Sequence, residues 1–265
     1  MFSSFDGRLR QLALSSNFVY PAGNFHRWDA SRYVEAMVSH LNTAASTPRH
    51  AGPNLGIVAI VYVVLKVVSV LPVSAFGSSP PYFPELNAPA AGVVSYFSTH
   101  SFPVLICAFL QFGAAIPLGI FVASIVSRLR FLGVNAAGAS IALFGGFMAA
   151  VDELISGAVI SVMAQPLVAQ SPALLQALHY LAVALGGPGF TMPFGLLMAG
   201  VSITAGFMKV LPKWLVGFGL LLALIGELSW LSLVIPRAGI LIPLARWPGF
   251  VWLIAAGFKL PKTRK

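Results

Sequence analysis

The chain has 265 residues, of which 58% are hydrophobic and only 9% charged, and its mean hydropathy is +0.87. Soluble domains carry about 25% charged residues, so a chain this apolar lacks the polar surface to cover a core in water; this excludes a soluble fold and leaves a polytopic membrane protein. The net charge of +9 does not argue for nucleic acid, because the basic residues stand in short groups beside apolar runs, as orientation determinants do.

Residues 1–54 form a polar, loop-rich N-terminal segment with Pro21, Gly23, Pro48 and Pro53. Its opening, MFSSFDGRLRQ, lacks the basic-then-apolar order of a cleavable signal. Within the segment Asp29 can cap an amphipathic helix over 30–45, with Val34, Met37, Val38 and Leu41 on one face. That face suits an interfacial helix as well as a short solvated one. Met37 is an alternative start, because MVSHLNTAASTPRH leads directly into the first apolar run.

Six apolar runs follow over 55–74, 101–126, 134–164, 174–208, 214–235 and 240–258, each long enough to cross a hydrocarbon layer of ~30 Å. The fold class expected is therefore all-α, a six-helix transmembrane bundle over 55–260, ending in a basic tail over 261–265. The stretch 78–90 reads as a loop, since Pro80, Pro81, Pro84 and Pro89 forbid a continuous helix. No repeat at a solenoid period is visible, and the two three-helix halves show no internal similarity. The fourth run is too long for one perpendicular crossing and holds Gly186, Gly187, Pro188 and Gly189, so a kink or an unwound turn is expected there. In the sixth run, residues 248–260 cover only roughly 20 Å, which places Arg246 inside the membrane.

Orientation follows from the basic residues. Arg8, Arg10, Arg27, Arg32 and Arg49 precede the first run, Arg128 and Arg130 follow the second, Lys209 and Lys213 follow the fourth, and Lys259, Lys262, Arg264 and Lys265 close the chain. The alternate connections hold only Arg237. Both termini are expected on the cytoplasmic side.

The third run, ALFGGFMAAVDELISGAVIS, carries Asp152 and Glu153 near its middle. With Lys66, Gln111, Glu227 and Arg246 they make a set of polar side chains inside apolar runs. An ionised residue at the bilayer centre costs about 2.5–3.5 kcal/mol on insertion scales, so these should face the bundle interior, pair, or line water. At 1.5 Å per residue, Lys66, Glu227 and Arg246 lie roughly 9–12 Å below the outer ends of their runs, and Gln111 and Asp152 roughly 15–18 Å. Gly145, Ala149, Glu153, Gly157 and Ser161 form an i,i+4 stripe of small residues, and Gly219, Ala223 and Glu227 form another. Small stripes mark close helix contact, so both glutamates are expected to point inward, with Asp152 turned about 100° away.

Three readings of this polar layer stay open. It is a binding layer in which Lys66 and Arg246 balance Asp152, Glu153 and Glu227 around an outward-opening cavity for a small solute or a proton. Alternatively the charges are registry pairs of a structural or regulatory subunit. The third reading is an intramembrane enzyme acting on lipid or quinone, with Glu153 or Glu227 as general base; no catalytic residue is assigned. Cys107 is the single cysteine, so no intramolecular disulfide can form. Of the five histidines only His100 and His179 can meet at the outer face, too few for zinc or two-haem sites, so no metal and no cofactor are expected. No nucleotide-binding or nucleophile-elbow fingerprint stands in a suitable context. The partners implied are the lipid bilayer and an unspecified small solute, no nucleic acid, with homo-oligomer formation left open.

The segments LHYLAVALGGPGFTMPFGLLMAG (178–200), LPKWLVGFGLLLALIGE (211–227) and WPGFVWLIAAGFK (247–259) resemble the family of bacterial multi-pass membrane proteins catalogued as domain of unknown function 4386. The similarity extends over about residues 55–260 and rests on Gly, Pro and aromatic positions. It implies six helices in a bacterial inner membrane, and it carries no functional residue over to this chain.

Overall fold

The computed structural model describes residues 49–73, 84, 89–134 and 136–264. The amphipathic helix expected over 30–45, most of the Pro-rich loop and Lys265 lie outside the described residues. The described residues are helical throughout apart from connections and one isolated antiparallel bridge, Arg49 with Thr263. The helices are α1 (Leu55–Val70), α2 (Ala90–Thr99), α3 (Ser101–Phe131), α4 (Ala137–Met163), α5 (Pro166–Ala169), α6 (Pro172–Ala184), α7 (Phe190–Phe207), α8 (Lys213–Leu228) and α9 (Leu241–Lys259).

Among the described residues six helical segments are long and apolar enough to cross a membrane: Leu55–Val73, Ser101–Phe131, Ala137–Met163, Pro172–Phe207, Lys213–Leu233 and Pro236–Lys259. Each lies where an apolar run places it. The second runs past the expected end at 126, because the SRLR sequence continues the helix and Arg128 is buried instead of solvated. The short helix α2 was not anticipated; it abuts α3 at His100 and buries Val93, Tyr96 and Phe97.

Local signals explain the element ends. Asn54 caps α1, its side-chain oxygen accepting from the Gly56 amide at 3.2 Å. Pro166 and Pro172 open α5 and α6, where the missing N–H is no loss. The turn between α3 and α4 needs Gly133 at φ 95°, a left-handed conformation open to glycine.

The spans pack in a closed ring, α1 against α3, then α4, α7, α8, α9 and back to α1. One face of the ring gathers the basic ends. There the His50 amide donates to the Lys262 carbonyl at 2.8 Å, His50 Nε2 meets Ser127 Oγ at 3.1 Å, and Arg128 Nη2 donates to the Pro53 carbonyl at 3.0 Å. Burial and the neighbouring Arg128 charge hold His50 below its ordinary pKa. At the opposite face α2 covers α6, with Phe97 edge-on to His179 at 6.3 Å between ring centres.

Two apolar clusters fill the ring. The larger holds Tyr62, Phe121, Phe194, Phe250 and Trp252 and extends to the basic face. The smaller holds Val93, Phe97, Val104, Ile160, Met163 and Leu175 at the other face. Lys66, Gln111, Glu153 and Ser156 are buried between them. Outside the ring, large apolar side chains such as Phe109 and Phe144 are exposed, as a lipid-facing surface requires.

Close helix contact rests on glycine where expected from the α4 stripe. A Cβ at Gly145 would stand 2.6 Å from the Pro193 carbonyl oxygen of α7, and one at Gly157 3.0 Å from the Phe112 amide of α3. Gly113 faces open space. Gly145→Ala should therefore lower stability by about 1–3 kcal/mol through overpacking. Gly113→Ala should leave it unchanged or raise it by up to about 1 kcal/mol through helix propensity. Thermal unfolding of the detergent-purified variants reads both signs.

Candidate functional site

Tyr62 and Lys66 stand one turn apart on α1 and both point into the ring, where they are buried. Lys66 Nζ lies 2.9 Å from Glu153 Oε1 on α4, and the Tyr62 hydroxyl donates to Glu153 Oε2 at 3.1 Å. Both carboxylate oxygens are thus engaged, in a position with 1% exposure. Lys66 Nζ also donates to Gln111 Oε1 on α3 at 3.2 Å, and Gln111 Nε2 donates to Cys107 Sγ at 3.1 Å. The result is a continuous chain, Tyr62–Glu153–Lys66–Gln111–Cys107, across three helices. An ion pair in so dry a place holds only because its remaining hydrogen-bonding capacity is used.

The second component is the break in the fourth span. A π-type turn over Leu185–Gly189 separates α6 from α7, and Gly187 lies outside helical geometry at φ −89° and ψ −107°. The break expected at Gly186–Gly189 is present. Pro188 supplies no amide and Gly187 is non-helical, so the turn is irregular, and the Phe190 amide donates to the Gly187 carbonyl. Arg246 of α9 adds to this bonding: its Nη2 donates to the carbonyls of Gly186 and Gly187 and to Thr191 Oγ1. Thr191 Oγ1 in turn donates to the Gly187 carbonyl at 2.8 Å.

Phe190 joins the two components. The Arg246 guanidinium carbon lies 5.0 Å and Lys66 Nζ 5.8 Å from the centre of its ring, distances at which the negative face of the ring attracts a cation.

A cavity of about 290 Å³ lies beside the break. Gln111, Ser156, Gly186, Gly187 and Arg246 supply its polar wall, and Ile160, Ala182, Val183, Ile242 and Pro243 its apolar wall. Ser156 Oγ donates to the Ala182 carbonyl at 3.1 Å, fixing that wall. Gly239 of the Pro236–Ile240 turn also lines the cavity, which therefore lies in the half of the ring away from the basic face. Gln111 is common to the cavity and the buried chain.

The six polar residues singled out by sequence do not all touch one another. Lys66, Gln111 and Glu153 are joined, and Arg246 meets them through Phe190. Asp152 and Glu227 make no ion pair among the described residues, so Arg246 balances neither of them; backbone carbonyls take its place as partners. Asp152 is half-buried against Gly189, its Cγ 3.7 Å from where a Cβ would stand. Glu227 is half-buried against Gly195, with Oε1 shielded and without a hydrogen bond. Tyr62, Ser156, Phe190 and Thr191 were not singled out by sequence reasoning. Tyr62 is signalled only by its i,i+4 relation to Lys66, and Thr191 only by its place four residues after Gly187.

His100 Nδ1 meets the Tyr96 carbonyl at 3.1 Å and its ring stacks on Tyr96. No three His, Cys, Asp or Glu side chains stand together as metal ligands among the described residues.

Fold and site together define a multi-pass helical membrane protein with a buried ion-pair network beside an intramembrane cavity. No family model, curated protein or solved structure matches the chain.

Removing one partner from a buried pair leaves an unpaired charge. Lys66→Met or Glu153→Met alone should lower stability by about 3–5 kcal/mol, whereas the double change should recover most of that loss. Denaturant unfolding of the purified variants, read as a double-mutant cycle, measures the coupling.

Proposed function

We propose that this is a non-enzymatic membrane protein that binds or passes a small solute through an outward-opening intramembrane cavity. The observation that carries this reading is the cavity itself. It is walled by an unwound helical turn and by a guanidinium that has no carboxylate partner among the described residues. Free backbone groups at a broken helix, tolerated where they line a cavity, are the device by which membrane transporters hold small polar ligands. A volume of about 290 Å³ lies just under the range of drug-sized ligand pockets, about 300 to 1,000 Å³, and suits only a small solute.

The basic loops support cytoplasmic termini, which puts the cavity mouth on the outer side. The resemblance to the bacterial family of unknown function noted above supports an inner-membrane location. For Lys66 and Glu153 a registry role is favoured by their geometry: the pair is dry, hydrogen-bonded to Tyr62 and Gln111, and set back from the cavity behind Gln111. In this reading the pair holds α1, α3 and α4 in register while Arg246 and the break contact solute.

Cysteine accessibility tests the reading without knowledge of the solute. In a Cys107→Ala background, Val183→Cys and Ile242→Cys on the cavity wall should react with a membrane-impermeant maleimide added outside right-side-out vesicles. They should be protected in inside-out vesicles. Phe144→Cys, on the lipid-facing surface, should be protected in both. Protection of both wall positions from both sides would show a dry, closed gap and end this proposal.

A further inference from the structure

We infer that the cavity selects a small monoanion with an apolar body, of the short-chain carboxylate type, and that Arg246 is its counter-ion. This rests on the cavity being a binding site, as proposed above, and adds the charge and shape of the ligand.

Charge comes first. The groups gathered around Phe190 and Gln111 carry two positive charges, Lys66 and Arg246, and one negative charge, Glu153. Lys66 takes up that carboxylate at 2.9 Å. Among the described residues Arg246 hydrogen-bonds neutral acceptors only, the Gly186 and Gly187 carbonyls and Thr191 Oγ1. Asp152, the neighbour of Glu153 on α4, stands against Gly189 and makes no ion pair among the described residues. A guanidinium this deep in a low-dielectric bundle attracts an anion strongly.

Donor geometry agrees. All three hydrogen bonds of the guanidinium leave from Nη2, and Nε has no partner. Arginine recognises carboxylates through its planar N–H groups, and Nη1, which makes no hydrogen bond among the described residues and is not a buried polar atom, leaves donors for such a contact. The Gln111 amide adds a polar group on the same wall.

Shape restricts the ligand further. One turn further from the basic face than Ser156, Gly186 and Arg246, on the same helical segments, stand Ile160, Val183, Ile242 and Pro243, which offer nothing to a second charged group or a polyol. A dianion would leave one charge unpartnered against them, at the cost of its desolvation. A short alkyl chain fills the same space favourably, at about 0.8 kcal/mol per buried CH₂. Hexanoate has the required head and tail.

Binding of hexanoate, hexanol and hexylammonium to the purified full-length protein is measured by ligand-induced thermal shift and by calorimetry. The proposal expects saturable binding of hexanoate, at least about tenfold tighter than of hexanol, a difference of about 1.4 kcal/mol. It expects no binding of hexylammonium. Ala182→Phe, which fills the cavity and leaves Arg246 in place, should abolish hexanoate binding. Arg246→Lys, which keeps the charge, should weaken it less than Arg246→Gln. Equal affinity for hexanoate and hexanol, preference for hexylammonium, or no saturable binding of hexanoate would each overturn the anion assignment. The maleimide result separates the two levels: outside-only labelling with no hexanoate preference leaves the cavity standing and removes only the ligand class.

Discussion

A charge carried into hydrocarbon must bring its partner with it, and in this bundle the Lys66–Glu153 pair meets that demand. The pair spans α1 and α4, Tyr62 and Gln111 bond to it, and apolar clusters lie on either side. Once those four groups are engaged, α1, α3 and α4 have one mutual register. The small residues of α4 then let α3 and α7 approach on either side.

Arg246 answers the same demand by other means. Among the described residues it pairs with no carboxylate and is held instead by the Gly186 and Gly187 carbonyls of the break and by Thr191. The two irregularities are complementary: the turn offers acceptors and the arginine supplies donors. That arrangement engages Nη2 without a paired carboxylate, and the cavity lies beside it. Structure and proposed function are linked at this point, because a fully neutralised core would have no reason to attract an ion.

Much of the fold is legible in the sequence because hydrocarbon imposes coarse rules. Length and hydropathy locate the six spans, and a Gly-Gly-Pro-Gly run inside one of them marks the break. Depth counting also brings Lys66, Gln111 and Glu153 to comparable levels. Pairing is not legible in the same way, since residues at one depth on different helices meet only if the rotation of each helix and the order of the ring allow it. Asp152 and Glu153 differ by one residue and hence by about 100° of helix; one is buried in the network and the other sits half-buried at Gly189. Glu227 lies at the right depth on α8, yet it faces Gly195 of α7. Arg246 was expected to seek a carboxylate and instead found backbone, an acceptor that composition does not display. Tyr62 and Phe190 carry no mark in the sequence beyond being aromatics in apolar runs, and only the structure sets them beside the carboxylate and the two cations.

If the cavity is a binding site, water reaches Arg246 and the helix break while the Lys66–Glu153 pair stays dry. Hydroxyl-radical footprinting of the protein in lipid nanodiscs tests this residue by residue, because oxidation requires water next to the side chain. Ile242, Pro243 and Val183 should be oxidised at rates comparable to the connections between helices, and Tyr62 and Phe250 should be protected. Protection of the cavity lining equal to that of Tyr62 would overturn the reading.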